Sequence, residues 1–397
     1  MSKKNVAVIF GGCSVEHEVS IVTALQLIEN MNREKYNIIP IYISGKGEWF
    51  TGKELLDIEI YKDFEYKERM FKKVLVPPVP SIRGVMHYPK KFGIFSNSIF
   101  RGVDVVIPAM HGMNGEDGTI QGLLELANIP YVGSGVVGSA VGMDKAIMKS
   151  VFKGNNLPIL KYATFLRVEW DSDKEKILKS IESELEYPVF VKPANLGSSI
   201  GISKAKDREG LERAIETAVY YDRKIIVEQG VESPIEINCS VMGFGNEVEA
   251  SVCEQPVNWE EFLTFEDKYT RGGKGASKSG MENMERRIPA QIPDDLAEKI
   301  KKLSITAFKA MDCRGVARID FIIDKDGMKP YINEINTIPG SFSFYLWEYS
   351  GIKYPELVDK LIDIACKVND EKNRNVYCYN SDILDKAKEG QKGGAKG

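Results

Sequence analysis

The sequence predicts a mixed fold in which an α/β domain with an open parallel sheet precedes α+β modules. Near the N-terminus, an apolar run at residues 5–10 is followed by a turn containing two glycines and by apolar residues at helical spacing. From residue 187 onward, short β-rich runs alternate with helical segments. Near residue 326, an Asp-Gly pair separates two strand-like runs, which is a strong hairpin signal. These three patterns define the expected architecture.

Length and composition indicate a globular cytoplasmic protein. The 397 residues are enough for two or three domains, with 43% hydrophobic and 28% charged residues. A net charge of -4 argues against a general nucleic-acid or anionic-membrane surface, which requires a concentrated positive field. Six cysteines without a CxxC pair and only three histidines argue against a zinc site. No apolar run approaches a membrane span, and the first ten residues are too short for a signal segment.

The first unit of the chain is predicted to be a strand, a turn and a helix. The turn GGCSVEHEVS would lie at the carboxyl end of a parallel strand, where open α/β sheets place ligand sites. Glu16 in this turn is either an acid that favours the helix dipole or a carboxylate that receives a substrate cation. His111 follows another buried strand, at residues 103–109, and should reach the same sheet edge, as a structural or a ligand-positioning residue. The segment 51–99 is interpreted as an elaborated loop and hairpin region.

Two nucleotide-binding motifs are excluded. GSGVVG at residues 133–138 matches the dinucleotide fingerprint, but no acidic residue follows between 145 and 167, where the ribose-binding acid should lie. The chain also lacks GxxxxGK(S/T). Phosphates are therefore not expected on a P-loop.

The central part of the chain predicts a different phosphate site. Two β-rich runs in YPVFVKPANLGSSIGISK flank a loop of small residues, followed by a helix at 210–221 and a strand at 225–228. Lys192 on the first run could pair with phosphates while the loop folds over them, although a solvent-facing lysine is the simpler alternative. Residues 263–288 are glycine-rich and charged without periodicity, as in a mobile lid or a disordered loop.

The predicted hairpin combines residues 316–324 with residues 329–335. Because strand side chains alternate between faces, Arg318 shares a face with Asp320, and Glu334 shares one with Asn336. Folding the hairpin brings Asp320 near Glu334. Two carboxylates and an amide oxygen suit Mg²⁺, whereas solvated acids on an exposed sheet are the alternative. A helix at 355–368 closes the fold, and residues beyond 371 lack core side chains and are expected to be disordered.

Seven short segments stand in a fixed order: GGCSVEHEVS, HGMNGEDGTIQGLLE, VGMDK, VFVKPANLGSSIG, DKYT, ARID and NEINTIPG. Their content and order resemble those of D-alanine–D-alanine ligases of the ATP-grasp superfamily, from about residue 6 to residue 366. The resemblance implies an ATP-grasp fold with an N-terminal α/β domain (1–125), a central α+β subdomain (126–230), a C-terminal α+β subdomain with the metal site (231–370) and a disordered tail (371–397).

The resemblance also implies a reaction. ATP would phosphorylate the carboxylate of a first D-amino acid, and the amine of a second would attack the acyl phosphate, giving a dipeptide for peptidoglycan precursors. The cofactors would be ATP and two Mg²⁺ ions, with Mn²⁺ as an alternative. The partners would be small D-amino acids and ATP, without nucleic acid or membrane, and a homodimer is allowed.

The resemblance assigns roles to particular residues. The metal ligands would be Asp320, Glu334 and Asn336. The nucleotide-binding residues would be Lys145, Lys192, Glu228, Glu236 and Lys268. The catalytic residues would be Glu16, Ser198, Tyr269 and Arg318. The substrate-binding residues would be His111, Gly340, Tyr345 and Leu346.

Two departures from the family pattern concern the loop after Tyr269 and the acceptor pocket. The loop is longer than usual, with the insertion GGKGASKSG, and Tyr345 stands where the family has a serine that binds the second substrate's carboxylate. One alternative is therefore a ligase that joins a bulkier or non-standard second substrate. Another is a non-catalytic ATP-binding regulator, which would not need Arg318 as an oxyanion partner.

Overall fold

The computed structural model describes residues 3–89, 99–256, 286–377 and 381. Within these ranges the chain forms three β-sheets, of seven, four and five strands. Among the helices of the described ranges, none combines the length and apolar composition needed to cross a membrane. The mixture of sheets and helices agrees with the predicted fold class.

The N-terminal sheet is parallel at its centre. Its strands are β1 (Lys4–Gly11), β2 (Tyr36–Ile43), β3 (Trp49–Thr51), β4 (Lys72–Leu75), β5 (Gly84–His87), β6 (Ile99–Gly102) and β7 (Val105–Pro108). They lie in the order β6-β5-β4-β3-β2-β1-β7, and β1 pairs in parallel with both β2 and β7. The strands β3 to β6 extend the sheet in antiparallel fashion. The segment interpreted as a loop and hairpin region thus contains β4 and β5 in full and one end residue each of β3 and β6. Short connections favour this antiparallel pairing.

Five helices and three short 3-10 turns lie within the described residues up to residue 154. The helices are α1 (His17–Asn30), α2 (Phe64–Lys67), α3 (Thr119–Ala127), α4 (Val136–Met143) and α5 (Lys145–Gly154). The 3-10 turns are Lys53–Leu56, Ile58–Asp63 and Glu68–Met70. The run GSGVVG opens α4, where Gly138 packs against the carbonyl oxygens of Met311 and Asp312. Gly138 therefore serves the packing of α4.

The central sheet has one face on helices and one face on the cavity described below. Its strands are β8 (Tyr162–Leu166), β9 (Val189–Pro193), β10 (Ser203–Ala205) and β11 (Lys224–Gln229), in the order β10-β9-β11-β8. Its helices are α6 (Arg167–Ser172), α7 (Lys174–Glu184) and α8 (Arg208–Tyr221). Val191 and Val227 belong to the core beneath the helices. Strand alternation therefore turns Lys192 and Glu228 to the opposite face.

The C-terminal sheet contains the predicted hairpin. Its strands are β12 (Ile235–Phe244), β13 (Glu247–Pro256), β14 (Arg286–Arg287), β15 (Gly315–Asp324) and β16 (Lys329–Asn336), in the order β14-β13-β12-β15-β16. Its helices are α9 (Asp294–Ala310), α10 (Phe344–Tyr349) and α11 (Tyr354–Lys372), and a 3-10 turn covers Gly340–Ser343. The hairpin prediction is confirmed, since β15 and β16 pair with Asp320 opposite Glu334.

One hydrophobic core joins the N-terminal and C-terminal sheets. Phe10 of β1, Val316 of β15, Trp347 of α10 and Leu361 of α11 belong to the same buried cluster. Helix α11 contacts both β7 and β15. This packing holds the end of β16 and the turn after it beside α1, and so places two distant segments around one cavity.

Candidate active site

A cavity of about 320 Å³ lies where the three sheets meet. Most of the residues assigned a role from the sequence line it: Glu16, His111, Lys145, Lys192, Ser198, Glu228, Glu236, Arg318, Asp320, Glu334, Asn336, Gly340 and Tyr345. Lys268, Tyr269 and most of the segment interpreted as a lid lie outside the described residues. Leu346 does not line the cavity; its side chain is fully buried on α10.

Four polar side chains lie in one row across the C-terminal sheet. Glu254 on β13 is opposite Asn238 on β12, which in turn is opposite Asp320 on β15. Asp320 is opposite Glu334 on β16. Directly opposed residues on antiparallel strands project to the same face, and all four line the cavity. The cavity therefore has a polar floor of several strands' width.

Arg318 and Asp320 form a fork-to-fork ion pair on this floor. Arg318 Nε donates to Asp320 Oδ1 and Nη2 donates to Oδ2, both at 2.7 Å. Asn336 Nδ2 donates to the same Oδ2 at 2.9 Å. Burial raises the pKa of Asp320, although the Arg318 charge acts in the opposite direction. The bidentate geometry fixes the plane of the guanidinium, which an oxyanion partner requires.

The donor set beside this pair fits a hard divalent cation. Asp320 and Glu334 offer carboxylates on adjacent strands, and Asn336 adds an amide oxygen. Lys145 Nζ lies 3.4 Å from Glu334 Oε2, so a cationic side chain also faces this point. Within the described ranges no three His, Cys, Asp or Glu side chains form a metal-sized cluster. A cation here would complete its shell with phosphate oxygens or water, as Mg²⁺ commonly does.

A buried cluster of charges lies on the central sheet. Lys192 Nζ is 2.7 Å from Glu228 Oε2, and Lys149 Nζ is 3.2 Å from Glu228 Oε1. Burial alone would raise the pKa of Glu228, but the two ammonium groups outweigh it and hold the pKa at about 2. Glu228 is therefore ionised at neutral pH and can accept a hydrogen bond from an exocyclic amine. Lys149 was not identified as a site residue from the sequence. Its position between Met148 and Phe152 on the buried face of α5 does indicate a buried lysine, which needs an anionic partner.

A β-bulge connects the hairpin to this charge cluster. The register shifts after Asp320, so that Phe321 is opposite Ile332. Asn333 is the extra residue, and its Oδ1 accepts a hydrogen bond from Lys192 Nζ at 3.2 Å. Bulges re-aim side chains in this way. Nothing in the sequence indicated the bulge.

The loop of small residues after β9 closes on Glu16. Ser198 Oγ donates a hydrogen bond to Glu16 Oε1. Ser198 and Ser199 both have positive φ, at 53° and 61°. A Cβ on Gly197 would stand 2.7 Å from Glu16 Oε2, so a side chain at this position would displace the Glu16 carboxylate. The loop and the start of α1 therefore form one wall of the cavity.

His111 and Glu116 connect the N-terminal sheet to the end of the hairpin. His111 Nε2 shares a 2.8 Å hydrogen bond with Thr23 Oγ1, and burial lowers the pKa of His111 to about 4. Glu116 accepts hydrogen bonds from the backbone N–H groups of Gly112 and Ile338. Burial and the Glu16 charge raise the pKa of Glu116 to about 8. Glu116 was missed in the sequence, although it lies five residues after His111 in the same glycine-rich turn.

The far end of the cavity is formed by the segment after β16. Ser341, Phe342 and Ser343 follow Gly340 with φ of 47°, 57° and 52°, a run of left-handed residues that is uncommon outside functional turns. Ser341 Oγ donates to Gln26 Oε1 at 2.5 Å, which holds the turn against α1.

Tyr345 lines the cavity, but its hydroxyl is engaged. It donates to Glu254 Oε2 at 2.9 Å, and the Arg286 guanidinium lies 4.4 Å from the ring centroid. Burial and the Glu254 charge raise the pKa of Tyr345 to about 12, so the hydroxyl stays protonated. Neither Glu254 nor Arg286 was singled out in the sequence, because their proximity depends on the pairing of β13 with β14.

Comparisons with known proteins decide the family. The model described as D-ala D-ala ligase N-terminus matches residues 5–134, and the one described as D-ala D-ala ligase C-terminus matches residues 151–363. The chain belongs to the D-alanine–D-alanine ligase family. It is therefore an ATP-dependent ligase, and its ATP-grasp fold agrees with the sequence prediction.

Individual members of the family are similar to this ligase over nearly its whole length. The chain is 43% identical to a D-alanine–D-alanine ligase of Caldicellulosiruptor bescii, covering 95% of this chain and 99% of the relative. It is 40% identical to one from Bacillus cytotoxicus, covering 95% and 99%. Among solved structures, VanG D-Ala:D-Ser ligase from Enterococcus faecalis is 32% identical with a TM-score of 0.77, covering 92% and 100%. The ligase from Coxiella burnetii is 28% identical with a TM-score of 0.78, covering 94% and 97%.

Proposed function

We propose that this ligase joins two D-alanine molecules into a dipeptide through an acyl phosphate. The observation that carries the proposal is the meeting of three groups in one cavity: the Arg318–Asp320 pair, the carboxylate of Glu334 and the Glu16–Ser198 wall. The names of the relatives support D-alanine as the substrate. The dipeptide would supply the cytoplasmic assembly of peptidoglycan precursors.

In the first step, a carboxylate oxygen of the first D-alanine attacks the γ-phosphorus of ATP, and ADP leaves. Glu16 would hold the substrate's ammonium group, since its carboxylate is buried at the cavity wall. Lys145 would contact the phosphates, with Lys192 beside it, and Glu228 would accept from the adenine amine. Two Mg²⁺ ions held by Asp320, Glu334 and Asn336 would offset phosphate charge.

In the second step, the amine of the second D-alanine attacks the acyl carbon. The new C–N bond forms, the C–O bond to phosphate breaks, inorganic phosphate leaves, and the nitrogen loses a proton. Arg318 and the backbone N–H of Gly340 would stabilise the tetrahedral oxyanion, because both face the cavity beside the hairpin acids. The closed Gly197–Ser199 loop would keep water from the acyl phosphate.

A second candidate is a ligase that uses another acceptor, such as D-serine. The observation favouring it is the aromatic side chain of Tyr345 at the position where the family pattern has a serine. The resemblance to a structure named D-Ala:D-Ser ligase makes this acceptor the natural comparison.

The test is a substrate panel. The purified chain would receive ATP, Mg²⁺ and D-alanine alone, D-alanine with D-serine, D-alanine with D-lactate, or L-alanine, with phosphate release measured and products identified by mass. We expect D-alanyl-D-alanine with one phosphate per dipeptide. A predominant mixed product would favour the second candidate, and phosphate release without any condensed product would contradict both.

A further inference from the structure

Three side chains at the far end of the cavity form a connected group, here called the acceptor cluster: Glu254, Arg286 and Tyr345. Glu254 accepts from the Tyr345 hydroxyl at 2.9 Å and pairs with Arg286 Nη1 at 3.3 Å. The Arg286 guanidinium lies over the Tyr345 ring, with 4.4 Å between Cζ and the ring centroid. Glu254 is 2% exposed, so the group is held inside the protein and not on its surface.

The acceptor cluster lies at a defined distance from the reacting centre. Glu254 is separated from Asp320 by one intervening strand, because both are opposite Asn238. Two strand spacings amount to about 10 Å. Arg318 lies two residues from Asp320 on the same face of β15, and it lines the same cavity as Tyr345. An amino acid whose amine reaches the acyl carbon near Arg318 therefore has its other end directed toward the cluster.

The distribution of cations in the cavity points the same way. Of the lining lysines and arginines in the described ranges, Lys145 and Lys192 are engaged at the nucleotide end, with Glu334 and Glu228 respectively. Arg318 is paired with Asp320. Arg286 is the lining cation at the opposite end. A substrate carboxylate buried at that end requires a cationic or strongly donating partner.

We propose that Arg286 binds the carboxylate of the second amino acid, and that Glu254 and Tyr345 are positioning residues that hold its guanidinium in place. The assignment deepens the proposed function and rests on it. A guanidinium carries five N–H donors, so an ion pair with Glu254 through Nη1 is compatible with a second carboxylate. Its planar fork matches a carboxylate in two parallel hydrogen bonds, and stacking on an aromatic ring orients that plane.

This arrangement explains how Tyr345 can replace a serine. The Tyr345 hydroxyl already donates its hydrogen bond to Glu254, so it does not bind the carboxylate of the acceptor amino acid. The ring instead supplies the surface on which Arg286 lies. In this chain the Arg286 guanidinium binds the acceptor carboxylate, a role that a serine hydroxyl has in the family pattern. A guanidinium favours acceptors that carry a free, negatively charged carboxylate.

The test separates acceptor binding from acyl-phosphate formation. Hydroxylamine is a small nucleophile without a carboxylate, and it converts the D-alanyl phosphate to D-alanine hydroxamate with release of phosphate. Wild type and Arg286→Gln would be compared for dipeptide formation and for hydroxamate formation at saturating ATP and Mg²⁺. For Arg286→Gln we expect the KM of the acceptor D-alanine to rise by about 10- to 100-fold. Hydroxamate formation should stay within about two-fold.

The chain offers a matched control in the next residue. Arg287 is exposed and does not line the cavity, so Arg287→Gln removes the same charge without touching the site. Arg286→Lys keeps the charge but loses the fork, and should give an intermediate rise in the acceptor KM. Tyr345→Phe removes only the bond to Glu254, and should raise the same KM less than Arg286→Gln. D-alaninamide, which lacks the carboxylate, should react at equal rates with wild type and Arg286→Gln.

The outcomes are distinguishable. An unchanged acceptor KM in Arg286→Gln, or an equal loss of dipeptide and hydroxamate, would overturn the role of Arg286. An equal loss would instead identify the acceptor cluster as structural support of the whole cavity. Absence of both products from the wild-type protein would overturn the proposed function itself, whatever the variants do.

Discussion

The hydroxyl of Ser198 donates a hydrogen bond to Glu16 Oε1, across 182 positions of sequence. This bond joins the loop after β9 of the central sheet to the turn that begins α1 of the N-terminal sheet. Gly197 makes the approach possible, because a side chain there would collide with the same carboxylate. Closure of the cavity on this side therefore depends on Gly197, Ser198 and Glu16.

Replacing this hydroxyl should uncouple the reaction. Ser198→Ala removes a charge-assisted hydrogen bond, so dipeptide formation should fall by about 10- to 100-fold. Because the loop would no longer be held over the acyl phosphate, more phosphate than dipeptide should be released. The ratio of the two products measures this directly. Ser203→Ala, at the first residue of β10 and not in the cavity lining, is the control. A ratio of one in Ser198→Ala would contradict the closing role.

Glu334→Gln should abolish most turnover and leave the fold intact. It removes one of the two hairpin carboxylates expected to hold the cation, and a loss of about 100-fold or more in kcat is the scale of a weakened metal site. Activity would be titrated with Mg²⁺ up to saturation. Asp326→Asn, in the exposed turn of the same hairpin, removes an equal charge and keeps an Asn-Gly turn. Equal activity of Glu334→Gln and Asp326→Asn at saturating Mg²⁺ would refute the metal assignment.

Lys149→Met should destabilise the protein by about 3 kcal/mol. The lysine is fully buried, and its loss leaves the carboxylate of Glu228 with one cation fewer in the interior. Urea unfolding measures the change in the free energy of unfolding, with Lys153→Met on the exposed face of α5 as control. Adding Glu228→Gln to Lys149→Met should restore part of the stability. Additive losses in the double variant would show that the two side chains are not coupled.

His111 should make stability depend on pH in the acid range. The pKa of His111 in the folded protein is about 4, below the ordinary value of 6.5. Between these two pH values the unfolded chain therefore binds a proton at His111 that the folded protein does not bind. The contribution to stability is complete above pH 6.5 and declines as the pH falls from 6.5 toward 4. Between pH 7.5 and pH 5, wild type should lose about 2 kcal/mol more than His111→Asn. Thermal unfolding of both proteins at the two pH values gives this difference, and parallel losses would contradict a buried neutral imidazole.

Local patterns in the sequence determined the hairpin and its polar face. The Asp-Gly turn and the alternation of β15 and β16 place Asp320 opposite Glu334, and neither feature needs a distant residue. The strand, turn and helix that carry Glu16 follow from apolar periodicity in the same way. Segment 51–99 was harder to predict, because the strands within it and at its two ends are three or four residues long and carry no clear alternation.

The tertiary structure alone decided which distant side chains meet. The pairing of Glu228 with Lys149 depends on α5, which packs in the core of the C-terminal sheet, meeting β11 of the central sheet. The contact of Asn333 with Lys192 depends on a bulge. The acceptor cluster depends on β13 and β14 bringing Arg286 over Tyr345. A sequence specifies side-chain direction within one strand or helix, since backbone geometry repeats locally. The distance between two such elements is set by the packing of the four hydrophobic clusters that the described residues form, and no short stretch of sequence contains that information.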